Sequence, residues 1–207
     1  MSAGEEIDGP GRCLAEIRAK TRQEIEAFLA TQGKSRVYEG ISSLSLNVSA
    51  DYGNRFLIEL IQNAHDAHPA SQTDGLIDIH LSIDEGTHGC LYVANGGVGF
   101  TAKNFAALTN IALRSKSVNA GAGNKGLGIR SVLHISVWPE IFSKCADSQQ
   151  FDGYCFGFAD DAELEQIVTA MGAREHLEAV RTNIPRLFLP VPRDPHTLLP
   201  ARFTGPG

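Results

Sequence analysis

Apolar residues Leu14, Ile17, Ile25, Phe28 and Leu29 alternate with charged ones across 14–30, an approximate helical period that predicts a helix after a loose start to about Gly11. Gly33 closes that segment, and a Ser-rich connector over 41–49 leads to a second predicted helix, Tyr52 to His68, ended by Pro69. Leu76 to Ile83 and Cys90 to Ala94 read as strands, and the polar turn Asp84 to Gly89 between them predicts an antiparallel pair. Thr101 to Leu113 reads as a helix capped by Thr101, followed by a Gly-rich loop through Lys125 and a helix from Gly126 to Ile135. Two further strands are expected over Pro139–Lys144 and Tyr154–Phe158, then one acidic helix over Asp161–Arg181 and an apolar stretch over Ile184–Val191. The tail from Pro192 to Gly207 holds four of the nine prolines and reads as an end cut before a following domain. The pattern divides into an N-terminal helical extension (1–40), one main domain (41–191) and the tail (192–207).

Composition narrows the class of function. With 43% hydrophobic residues in 207, the chain can build an ordinary core. A net charge of −6 gives no basic field of the kind that holds nucleic acid, so nucleic acid is not indicated as a partner. Cys13, Cys90, Cys145 and Cys155 are far apart, without a CxxC pair, and read as reduced thiols. The acidic start lacks a signal-peptide pattern and no apolar run is long enough to span a bilayer, so a cytoplasmic protein without a membrane partner is expected.

Three segments carry the candidate chemistry. In Glu59-Leu-Ile-Gln-Asn63-Ala-His-Asp66-Ala67, spacings of four and three place Glu59, Asn63 and Asp66 on one helical face, beside the small Ala64 and Ala67. Small residues next to polar ones leave room for something to pack closely. Asn95-Gly96-Gly97-Val98-Gly99 ends a strand in a turn, and Gly121-Ala-Gly123-Asn-Lys125-Gly126-Leu-Gly128 opens a helix. The last has the makings of a phosphate cradle: pliant backbone, free amides at a helix start, and Lys125 with Lys116 and Arg130 nearby. Each glycine cluster alone is a weak signal, more often a plain turn than a ligand site. A metal site built on His65 and His68 is disfavoured, because a single helical turn of ligands is visible.

The order of an ExxxNxxD helix, a strand ending in NGGVG and a GxxGxG loop entering a helix resembles the GHKL superfamily of ATP-binding domains, which includes gyrase, the ninety-kilodalton heat-shock chaperones, histidine kinases and MutL. Ala112-Leu-Arg-Ser-Lys116-Ser, Gly126-Leu-Gly-Ile-Arg-Ser-Val132 and Trp138-Pro-Glu-Ile-Phe-Ser143 extend the likeness to bacterial proteins with a sacsin-like N-terminal ATPase. The resemblance implies an α/β (α+β two-layer sandwich) of the GHKL, or Bergerat, type, with helices on one face of a mixed, mostly antiparallel sheet. It implies ATP and Mg²⁺ as cofactors, Asn63 as Mg²⁺ ligand, Glu59 as general base, and Asp66 beside the nucleotide. Gly97 and Gly99 would admit the base and ribose, and Gly123, Gly126 and Gly128, with Lys116 and Lys125, the phosphates.

Asn95 departs from the pattern, standing where chaperones and gyrase place the aspartate that accepts from the adenine amino group. Its amide can accept from N6 and donate to N1, so adenine preference is expected to survive. Glu59 separates this chain from histidine kinases, which usually carry Asn four residues before the Mg²⁺-binding Asn. A carboxylate can take a proton from water and an amide cannot, which favours hydrolysis over phosphotransfer. Related ATPases complete their site with a lysine from a following domain, so hydrolysis is expected to be slow or to need that domain or a partner. ATP or ADP, C-terminal domains of a longer protein and an ATP-dependent homodimer are the expected partners. A nucleotide sensor that binds without turnover is the alternative from a different class.

Overall fold

Helix α1 runs from Pro10 to Ala30, starting earlier than its apolar periodicity indicates. Pro10 occupies the first helical turn, where its missing N–H costs nothing and its fixed φ is already helical. The computed structural model describes residues 9–31, 56–109, 132, 135–136 and 138–204. Within them α2 spans Phe56–Asp66, β1 Ile77–Ser82, β2 Cys90–Asn95, α3 Ala102–Thr109, β3 Phe156–Phe158, α4 Asp161–Ala170, α5 Leu177–Asn183 and β4 Pro190–Pro192, with short helical turns α6 (Pro195–Leu198) and α7 (Ala201–Thr204) at the end. The mixed helix-and-strand character expected from the sequence holds. Among the described residues, however, the strands form two separate antiparallel pairs, β1–β2 and β3–β4, rather than one sheet.

The buried face of α1 links two cores. Cys13 and Ile17 join Phe105, Leu108, Tyr154, Phe156 and Phe158, while Ile25 and Phe28 join Leu164, Val168, Val180 and Leu189. Each such side chain removed from water stabilises the fold by about 1.5–3 kcal/mol. Phe105 stacks on Tyr154 at 4.9 Å and meets Phe156 edge-on at 5.2 Å, two of the offset geometries aromatic quadrupoles favour. The fully buried Tyr154 satisfies its hydroxyl on Glu16 of α1, and the buried Thr21 hydroxyl donates to the Pro190 carbonyl of β4.

Two expectations over 139–181 are corrected. Only Ile141 forms a bridge, to Phe156, within the segment read as a strand over Pro139–Lys144. Farther along, Ser143 O accepts from the Gly153 N–H at 2.9 Å, two residues on from Ile141 but three from Phe156, and this offset breaks the regular ladder. The single acidic helix is in fact α4, a 3₁₀ turn at Arg174–His176 and α5. Gly172, at φ +70°, breaks it: its N–H bonds Thr169 O and the Ala173 N–H bonds Val168 O, the paired bonds of a Schellman ending. At its start α4 carries a capping box, with Asp160 accepting from the Glu163 N–H and Glu163 accepting from the Asp160 N–H.

Arg193 ties these parts together, bonding Glu163 of α4 at 2.6 Å and Glu140 at 3.1 Å. It crosses Gly157 of β3, where a Cβ would lie 2.8 Å from its Nε. Pro190 and Pro192 suit β4 because, among the described residues, it pairs with β3 alone and has no second ladder partner to miss their N–H groups. The proline-rich tail folds back onto the β1–β2 hairpin: Arg202 pairs with Asp78 at 2.6 Å and the Phe203 ring lies 5.2 Å from Tyr92. Among the described residues, no helix is long and apolar enough to cross a membrane.

Candidate functional site

The hairpin β1–β2 has the expected antiparallel register, Ile77 opposite Asn95 and Leu81 opposite Leu91. Helix α2 packs against both strands, burying Ala64 and leaving Ile58 exposed. Along its other side Asn63 and Asp66 are exposed and Glu59 is half-buried, so the polar stripe inferred from spacing does face outward. Glu59 and Asn63 make no side-chain hydrogen bond or ion pair among the described residues. Asp66 lies 3.6 Å from the ring of the exposed His65.

The glycine turn after β2 meets the end of this helix. Val98 N–H donates to the Ala67 carbonyl at 2.8 Å, satisfying one of the carbonyls that a helix leaves open at its C-terminus. Gly97 is pressed against the same peptide: a Cβ there would lie 2.4 Å from Ala67 O and 2.9 Å from the His68 N. No side chain fits, so glycine at 97 is required by backbone contact. Asn95 Oδ1 accepts from the Gly97 N–H at 3.0 Å, which fixes the plane of the amide and leaves Nδ2 without a partner among the described residues. Gly99 is equally constrained from the other side, its Cβ position 2.2 Å from the Lys144 carbonyl.

Ser143 is the supporting residue that sequence reasoning missed. Its side chain is buried, accepts from the Phe100 N–H at 2.7 Å and holds the turn from behind. Its place at the end of Trp138-Pro-Glu-Ile-Phe-Ser143 gives no hint of this role, because the contact spans 43 residues of chain. A second contact lies at the end of α2, where the loop after Pro69 brings Gly75 flush against the His68 ring and leaves His68 Nε2 buried without a partner.

The structure therefore brings Asn95, Gly97 and Gly99 to the end of the helix that carries Glu59, Asn63 and Asp66. Lys116, Gly123, Lys125, Gly126 and Gly128, with the helix expected over Gly126–Ile135 apart from Val132 and Ile135, lie outside the described residues. Among the described residues, no group of three or more His, Cys, Asp and Glu is placed to hold a metal ion. A Mg²⁺ ion of the kind expected needs little more than Asn63 from the protein, since this ion keeps several waters and binds through substrate phosphates plus one or two hard ligands. An exposed carboxamide, without a partner among the described residues and with a carboxylate one helical turn before it, fits that donor set. Comparison with protein families, with curated proteins and with solved structures finds no match to this chain.

Proposed function

We propose that the chain is a Mg²⁺-dependent ATP-binding domain of the GHKL type, of a sacsin-like or chaperone-like ATPase, that hydrolyses ATP slowly or only with a further domain or partner. The observation that supports it most is the seat of the NGGVG turn on the end of the ExxxNxxD helix, through Val98 N–H to Ala67 O and the Cβ-free contact of Gly97. Two motifs separated in sequence, each weak alone, thereby share one surface.

On this reading Asn63 offers its amide oxygen to Mg²⁺, and Asn95, its amide plane held by the Gly97 N–H, reads the adenine edge. Asp66 lies beside the base. Bound Mg²⁺ and triphosphate supply an electrophilic phosphorus with its charge partly neutralised. Glu59, one helical turn before Asn63, takes the proton of the attacking water. The experiment is turnover and ATP affinity for Glu59→Ala beside the unchanged chain. Retained affinity with turnover reduced at least about a hundredfold supports a general base. Retained turnover removes Glu59 from the chemistry, and ATP binding without turnover in the parent chain, supplied with its partner domain, leaves a nucleotide sensor.

A further inference from the structure

A cleft of about 430 Å³ lies between the middle of α1 and the outer edge of β4, lined by no residue of the helix α2 site and independent of the nucleotide reading. Its deeper lining is apolar, formed by Ile167 of α4, the buried Val191 and the proline rings of β4. Arg18 and Arg22, one helical turn apart and both exposed, form its rim.

Among the described residues, Arg12, Arg174, Arg181, Arg186, Arg193 and Arg202 each pair with a carboxylate. Arg18 and Arg22 pair with none of the described carboxylates, in a chain whose net charge is −6. The other polar groups of the cleft are already engaged: the Thr21 hydroxyl donates to the Pro190 carbonyl, and Arg193 Nη1 lies 3.3 Å from the Pro192 carbonyl. Proline rings bring no N–H, so what faces a ligand is two cations above an apolar surface. A complementary group carries only acceptors and negative charge, on an apolar body.

We infer that this cleft docks an acidic peptide segment of a partner protein, an apolar side chain seated on Ile167 and Val191 and a neighbouring carboxylate held by Arg18 and Arg22. A small ligand normally has most of its surface enclosed, which two solvent-exposed guanidiniums do not provide; a peptide needs only an anchor and a rim. Strand addition is excluded at this edge because Pro190 and Pro192 withhold the donors it requires, so recognition lies in side chains.

The test pans the full chain against a phage-displayed library of random peptides, then measures an enriched, fluorescein-labelled peptide by anisotropy. Enriched sequences are expected to place Asp or Glu within two positions of a large apolar residue. The double variant Arg18→Gln/Arg22→Gln, whose exposed side chains leave the fold and melting point unchanged, is expected to weaken binding at least about tenfold, and added salt to do the same. Ile167→Glu, which charges the apolar lining and keeps both arginines, is expected to weaken it as well. No enrichment, enrichment without acidic residues, or equal binding by the double arginine variant overturns the proposal. Sedimentation showing a dimer that the arginine variant dissolves assigns the cleft to a second copy and overturns it too, as does arginine-dependent binding of dodecanoate in the absence of peptide enrichment.

Discussion

Gly96 and Gly97 are neighbours with opposite environments, and replacing each by alanine isolates the contact on which the site's geometry rests. A Cβ at Gly96 meets nothing within 4 Å, whereas one at Gly97 lies 2.4 Å from Ala67 O and 2.6 Å from its carbonyl carbon. Both obstacles are backbone, so no side-chain rotation relieves them. The turn must move away from α2, which strains the packing by about 1–3 kcal/mol. Moving also stretches the 2.8 Å bond from Val98 N–H to Ala67 O, and its loss costs a further ~0.5–1.5 kcal/mol. Together Gly97→Ala is expected to destabilise by about 2–4 kcal/mol, or roughly 5–15 °C in melting temperature for a chain of this size. Gly96→Ala is expected to stay within about 1 kcal/mol of the parent, with the small entropic gain of removing a glycine on its side. Urea unfolding of both variants, with hydrogen exchange of the Val98 amide as a local probe, decides the matter. Equal midpoints and an equally protected Val98 amide would refute the contact.

Two other perturbations test the frame around the site. Asp160→Ala removes the side-chain half of the α4 capping box and should cost about 1 kcal/mol in chemical denaturation, with Asp160→Asn recovering most of it. Arg193→Met strips Glu140 and Glu163 of their shared cation and should cost about 2–3 kcal/mol at neutral pH. Burial already lifts the Glu140 carboxyl above its ordinary value of 4.5, against the pull of Arg193. The folded state therefore holds the Glu140 proton more firmly than the unfolded one, and stability falls as pH rises from 4.5 through that raised value. Without Arg193 the lift is larger, so the penalty measured by urea melts should be greater at pH 7 than at pH 5; a pH-independent penalty would contradict it.

What the sequence made legible follows from the range of the forces involved. The β1–β2 hairpin, with its alternating apolar residues and polar turn, and Thr101 as the cap of α3 are set by neighbours a few residues apart. The outward stripe of α2 needed only helical spacing. The break at Gly172 was harder to see, because Leu164, Ile167 and Val168 continue a helical period up to it and only the left-handed φ reveals the stop. Ser143 behind the glycine turn and Arg193 across Gly157 depend on tertiary approach, which no local pattern encodes. The interruption of the ladder after the Ile141–Phe156 bridge has the same origin: the next backbone bond, from the Gly153 N–H to Ser143 O, falls one residue out of register.

Calorimetric titration of the chain with ATP and with ADP, each with and without Mg²⁺, decides whether this is a Mg²⁺-dependent ATP-binding domain. Saturable ATP binding is expected, strengthened by Mg²⁺, losing that Mg²⁺ dependence in Asn63→Ala and not matched by GTP. Absence of any nucleotide binding, or binding indifferent to Asn63 and to Mg²⁺, would contradict it.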